Sequence, residues 1–183
     1  MTDHGAIARL AERLKGEPID ILLNNAAIAR PHPGFGETDY ALWRRILETN
    51  LIGPMKMAEC FVEHVARSEL KVMAFVSSRM GSIGSNNSGG SYAYRSSKAG
   101  LNMIAKSLAV DLAPREICVL ALHPGWAMTE PGATGARGRE RSRHAGRDPS
   151  LRPAFHRKFL DLPRSTPALV RLLAALFEPQ RLF

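Results

Sequence analysis

Tyr94 and Lys98 lie four residues apart within SSRMGSIGSNNSGGSYAYRSSKAGL, residues 77–101. Four residues is about one helical turn, so on a helix the two side chains share a face. A free tyrosine titrates near ~10 and is a poor proton donor or acceptor at neutral pH, but an ammonium a few ångströms away favours the phenolate and lowers that value. Tyr94 so placed can act as the general acid of a carbonyl reduction, or as the base of the reverse alcohol oxidation. Ser78, following an apolar run, can donate a hydrogen bond to the same substrate oxygen. A Tyr and a Lys at this spacing are also an ordinary pairing on a helix surface, so the chemistry depends on what surrounds them.

The surrounding pattern supplies a strand, a loop and a helix. The apolar run 71–76 predicts a buried strand, and the Gly/Ser/Asn-rich residues after it predict a loop. Leu101, Ile104, Ala105, Leu108 and Leu112 then recur at helical spacing and place Tyr94 and Lys98 on a long helix. Side chains alternate along a strand, so only one of Ser77 and Ser78 can face a crevice at its end, with Ser82 as a further candidate. Tyr92 has no Lys four residues on.

Three further motifs stand in order around this stretch: Asn24 to Ala27 (NNAA), Asn50 inside a long helical pattern, and His123 to Thr129 (HPGWAMT). With the Tyr94/Lys98 pair they resemble the short-chain dehydrogenase/reductase superfamily, and within it the carbonyl reductase-like branch that includes the C-factor type signalling proteins. The resemblance covers about residues 3–130. It implies a Rossmann-type, doubly wound α/β fold with a parallel sheet, and hydride transfer between NAD(P)(H) and a small carbonyl or alcohol substrate, leaning towards NADP over NAD. It implies that Tyr94 transfers the proton, that Lys98 tunes Tyr94 and holds the cofactor ribose, and that Ser78 is the serine that polarises the carbonyl. Asn50 would hold a water linking Lys98 to solvent. Asn24 would brace the sheet, Ala26 would lie against the cofactor, Pro124 and Gly125 would flank the nicotinamide with Trp126 near its ring, and Thr129 would bond its carboxamide. Without the resemblance, Asn24 and Asn25 are turn residues, Asn50 is a solvent-facing amide beside a kink, and Trp126 is an ordinary core residue.

In chain order, Ile7, Leu10, Ala11 and Leu14 predict an amphipathic helix over 3–15, stopped at Gly16. Residues 19–23 predict a short buried parallel strand, whose C-terminal end is where a ligand crevice forms in an open α/β sheet. The Pro/Gly-rich segment 29–37 is a loop, and Thr38 or Asp39 can cap the following helix. That helix must accommodate Gly53 and Pro54 before ending near Val65, which predicts an irregularity near Asn50. Residues 117–122 predict a third strand after the helix breaker Pro114.

Two features depart from the family pattern. No Gly-x-x-x-Gly-x-Gly turn, the element that holds a cofactor pyrophosphate, stands near the start, so the first βαβαβ portion of the fold is expected to be missing. The strand over 19–23 would then have an unpaired apolar edge, with marginal stability or self-association as a homo-oligomer. The second departure is charge. Residues 133–183 carry 11 Lys/Arg against 4 Asp/Glu, nearly all of the formal net charge of +8. Residues 1–132 form the partial cofactor-binding domain, and 133–183 read as an Arg-rich, disordered tail with one short helix over 169–177. Its Arg/Pro/Leu composition is also what a shifted reading frame in GC-rich DNA gives. A nucleic-acid-binding arm is disfavoured because no recognition module or interleaved aromatic platform accompanies it.

The 183 residues, 45% hydrophobic, can bury one moderate core. No run is long enough to span a membrane and the polar start is no secretory signal, so a cytoplasmic protein is expected. Cys60 and Cys118 read as buried thiols, with no metal or disulfide framework.

Overall fold

A computed structural model of the protein describes residues 1–29 and 32–123. Helix α1 spans His4–Arg13, and Asp3 caps it by accepting from the Ala6 amide at 2.8 Å. Gly16 follows at φ +92°, a left-handed conformation that glycine reaches without a side-chain penalty. Strand β1 is Ile21–Asn24, two residues later at its start than the apolar run suggests. Its start is fixed by pairing, since Ile21 lies opposite Val72, while the Ile19 amide bonds the carbonyl of His64 instead of a strand.

Helix α2, Tyr40–Leu47, is capped by Asp39, one of the two expected candidates. The predicted irregularity is a π turn over Glu48–Ile52, after which α3 runs Gly53–Ala66. Pro54 has no N–H to offer the carbonyl of Asn50 four residues back, so the α-helical ladder cannot pass through this point unbroken. Strand β2 is Val72–Val76; Lys71, at φ +51°, lies outside it. A 3₁₀ turn over Arg79–Gly81, helix α4 over Tyr92–Asp111, a second 3₁₀ turn over Ala113–Arg115 and strand β3 over Cys118–Leu122 complete the described elements.

The three strands form a parallel sheet in the order β1-β2-β3. Leu22, Met73, Phe75 and Val119 share one buried cluster with Ala58, Phe61 and Val65 of α3, Leu101, Ala105 and Leu108 of α4, and Ile7 and Ala11 of α1. The period-2 alternation of the strands meets the 3.6-residue stripes of the helices on this face. Val72, Ala74 and Leu120 form a smaller cluster with Leu70, Cys118 and Leu122. His64 is buried between α1 and α3, where its Nε2 donates to the carbonyl of Ala11 at 3.1 Å.

Among the described residues β1 pairs on one side alone, and Ile21 and Leu23 are 40% and 54% exposed. Both cysteines are free and partly buried, and burial raises the Cys118 thiol above its usual value. None of the described helices is long and apolar enough to cross a membrane. The expected short helix over 169–177 and the Arg-rich tail lie outside the described residues.

Candidate active site

Every sequence-identified site residue within the described part stands at or near the C-terminal ends of β1 and β2, or on the helices that cross there. Strand β2 delivers two serines in alternation. Ser77 is buried, and its hydroxyl donates to Asn102 Oδ1 on α4 at 2.6 Å. Ser78 faces the other way and caps the 3₁₀ turn, its Oγ accepting from the Met80 amide at 3.2 Å. Because that bond uses an oxygen lone pair, the Ser78 proton stays available for donation. The Ser82 hydroxyl bonds Ser85 within the loop.

Lys98 is 2% exposed, and its ammonium donates to the carbonyl of Val76 at 2.7 Å. The same ammonium lies 5.8 Å from the centre of the Tyr94 ring. Burial disfavours the charged amine and lowers Lys98 to about 8. Gly81 makes this packing possible: a Cβ there would sit 2.7 Å from the Lys98 carbonyl carbon and 2.8 Å from its oxygen. Tyr92 begins α4 on a different face, lining a cleft of about 250 Å³ with Met80, Ile83 and Arg95.

Asn50 is fully buried inside the π turn, which corrects the reading of a solvent-facing amide. Its Oδ1 accepts from the Ile28 amide at 2.7 Å, and its Nδ2 donates to the Ile28 carbonyl at 3.0 Å and to Ser97 Oγ at 3.1 Å. Ser97 in turn donates to the carbonyl of Tyr94 at 2.8 Å. A continuous polar chain therefore joins the loop after β1, the π turn and the first turns of α4. Both amide protons of Asn50 are committed to this bracing.

Asn24 closes β1 and is 5% exposed, and its Nδ2 has no hydrogen-bond partner among the described residues. Ala26 is exposed in the loop that follows. The loop's far end is clasped to α4. His32 Nδ1 and Ser91 Oγ share a 2.7 Å hydrogen bond, and the Ser91 amide donates to the Pro33 carbonyl at 3.0 Å. Pro124, Gly125, Trp126 and Thr129 lie outside the described residues. Sequence reasoning missed Ser97, Ser91, His32 and Asn102. The first two are small polar residues beside the Tyr94/Lys98 pair, but their partners are 47 and 59 residues away in the chain and leave no local pattern.

The comparisons with known proteins agree with this geometry. The family profile described as enoyl-(acyl carrier protein) reductase matches residues 1–152. C-signal of Myxococcus xanthus is 40% identical over 119 residues, which are 65% of this chain and 72% of that protein. Carbonyl reductase Sniffer of Drosophila melanogaster superposes with a TM-score of 0.65 at 31% identity, covering 70% of this chain and 58% of the reductase. An NADPH-bound carbonyl reductase from chicken liver gives a TM-score of 0.65 at 31% identity, covering 73% of this chain and 58% of its own. The chain belongs to the short-chain dehydrogenase/reductase family, a family of NAD(P)-binding oxidoreductases with a Rossmann-type parallel sheet. Within that family its likeness is to the carbonyl reductases and to C-signal. It spans just under three fifths of the length of the two reductases.

Proposed function

We propose that this chain carries the reacting half of an oxidoreductase that passes hydride between NADP(H) or NAD(H) and a small carbonyl or alcohol substrate. The observation that carries the reading is the bond from Lys98 to Val76, which fixes the ammonium beneath Tyr94 and two residues from Ser78 at one strand end.

The residues present fit the nicotinamide end of such a cofactor. Lys98 has three N–H donors and one is bonded to Val76, so two remain for ribose hydroxyls. The unpartnered Asn24 amide stands at the neighbouring strand end, and Ala26 presents a small side chain beside it. By the HPGWAMT motif, Pro124, Gly125, Trp126 and Thr129 would complete the cradle. A bound nicotinamide supplies the hydride.

The chain's own groups handle the proton. Tyr94 gives its phenolic proton to the substrate oxygen as that oxygen gains charge, and the Lys98 ammonium stabilises the phenolate left behind. Ser78, oriented by the Met80 amide, donates to the same oxygen. Asn50 contributes to the relay through its backbone carbonyl, because Pro54 cannot give that carbonyl the α-helical N–H four residues on while the side chain is occupied with Ile28 and Ser97. NADPH in the chicken reductase supports the lean towards NADP.

A second reading, an interaction protein of the same ancestry that holds no cofactor, draws on the 40% identity to C-signal and on the exposed edge of β1. Equilibrium titration of the purified chain with NADPH and with NADH, following tryptophan fluorescence, separates the two. Micromolar binding that is lost in Lys98→Ala, followed by turnover of 4-nitrobenzaldehyde, is the expected result. A folded chain that binds neither nucleotide leaves the second reading standing and removes the first.

A further inference from the structure

We infer that Asn102 is a positioning residue for Ser78, an inference that rests on the reductase reading given above. Tyr94, Lys98 and Asn102 are spaced by four along α4, so Asn102 continues the stripe that the catalytic pair begins. Its side chain bridges two points on either side of Ser78. Oδ1 accepts from the hydroxyl of Ser77 at 2.6 Å, and Nδ2 donates to the carbonyl of Gly81 at 3.3 Å.

Those two bonds fix the turn that presents Ser78. Ser77 is already tied to β3, its amide donating to the Leu122 carbonyl at 2.7 Å, so the Ser77 end is a fixed point. Gly81 is the far end of the turn, its amide donating to the Ser78 carbonyl at 2.9 Å. Without Asn102 the Gly81 carbonyl loses its bond to α4, and the buried Ser77 hydroxyl loses its acceptor. The Lys98–Val76 bond would still hold α4 to the end of β2, but the turn itself would lose the polar anchor that fixes where Ser78 stands relative to Tyr94. An asparagine suits both tasks, because it offers an acceptor and a donor from a single planar group at any pH.

The charge state of the residue at this position gives a test that a space-filling role would not pass. In Asn102→Asp the carboxylate still accepts from Ser77 but cannot donate to Gly81, whereas the protonated carboxyl can do both. The wild-type chain, Asn102→Ala and Asn102→Asp are compared for reduction of 4-nitrobenzaldehyde by NADPH and for amide hydrogen exchange. The expected result is a kcat lower by ~10-fold or more in Asn102→Ala with an unchanged NADPH affinity, since a displacement of about 1 Å at a reacting centre can cost ~100-fold. Asn102→Asp should be impaired at pH 8 and recover towards wild type as the pH falls towards 5. Amides of Met80, Gly81 and Ser82 should exchange ~10-fold faster in Asn102→Ala, while those of Leu101 and Ala105 do not change. Unchanged exchange in the turn overturns the inference whatever the activity. Faster exchange with unchanged kcat in an active wild type also overturns it. A wild-type chain without turnover removes the reductase reading, and the exchange data then decide alone whether Asn102 holds the turn.

Discussion

The ammonium of Lys98 donates to the carbonyl of Val76 at 2.7 Å, so the helix that carries Tyr94 is pinned to the last residue of the strand that delivers Ser78. This bond relates the two halves of the site directly, and its energetics set the site's response to pH. Lys98 is buried, with the Tyr94 ring centre 5.8 Å from its ammonium, which makes the charge expensive to keep.

Burial lowers Lys98 from 10.5 to about 8, so the folded chain holds this proton less tightly than the unfolded chain. Between those values the unfolded state binds more protons, and stability therefore rises with pH. The contribution is fully present above about 10.5 and is lost as pH falls through about 8. Urea unfolding of wild type and Lys98→Met from pH 7 to 10.5 checks this. The stability difference between the two should move in favour of wild type as pH rises, and a difference independent of pH contradicts the burial of the charge.

Asn50 should matter to stability as well as to any relay. Asn50→Ala leaves the amide and the carbonyl of Ile28 without their partners, while Ser97 keeps its bond to the Tyr94 carbonyl; each lost partner costs about 1–2 kcal/mol, the low end of the range for an unpaired buried group, because Ile28 is only half-buried. Unfolding free energy should fall by on the order of 2–4 kcal/mol. Ser97→Ala should cost about 1 kcal/mol, and the double variant should cost less than the two single variants together, because they share a bond. Strict additivity in that cycle would show that the Asn50–Ser97 contact has no energetic weight.

Gly81 and Gly84 offer a paired test of the packing under Ser78. A methyl at Gly81 would meet the Lys98 backbone at 2.7 Å, and neither partner can swing aside as a flexible side chain could. At Gly84 nothing lies within 4 Å of the same methyl. Gly81→Ala should therefore lose about 1–3 kcal/mol through overpacking, together with cofactor-dependent turnover, while Gly84→Ala changes neither by a measurable amount. Equal melting temperatures for the two variants would show that the turn does not bear on α4.

How far the sequence reveals this arrangement depends on the range of each interaction. The caps at Asp3 and Asp39 act over three residues and the break near Asn50 follows from Pro54, so all three are legible as local chemistry. Strand alternation separates Ser77 from Ser78 but does not say which faces the crevice; the resemblance points to Ser78, and the structure shows Ser77 bonded to Asn102. The start of β1 was hidden because an apolar Ile19 reads as strand, whereas its amide is taken by the C-terminal end of α3. The polar chain from Ile28 through Asn50 and Ser97 to Tyr94 was hidden for the same reason. Its longest links cross 22 and 47 residues, and a serine one turn from a lysine carries no mark of that partner.

The edge of β1 that pairs with no other described strand makes the last prediction. Ile21 and Leu23 alternate with the buried Leu22 and Asn24, so the exposed pair presents apolar side chains beside strand backbone that has no partner among the described residues. An edge of this kind is a template for pairing with another chain, and natural edges are commonly blunted by an inserted lysine. The purified chain should therefore sediment as a concentration-dependent mixture, and Leu23→Lys should shift it towards monomer. At 54% exposure Leu23 contributes little to the core, so the substitution should leave the unfolding free energy within about 0.5 kcal/mol of wild type, as for other surface changes. Sedimentation velocity over a tenfold concentration range measures the first effect and urea unfolding the second. A wild-type chain that stays monomeric throughout would show that the bare edge of β1 does not drive association, and a Leu23→Lys variant that unfolds would show that the exposed residue supports the sheet more than its exposure suggests.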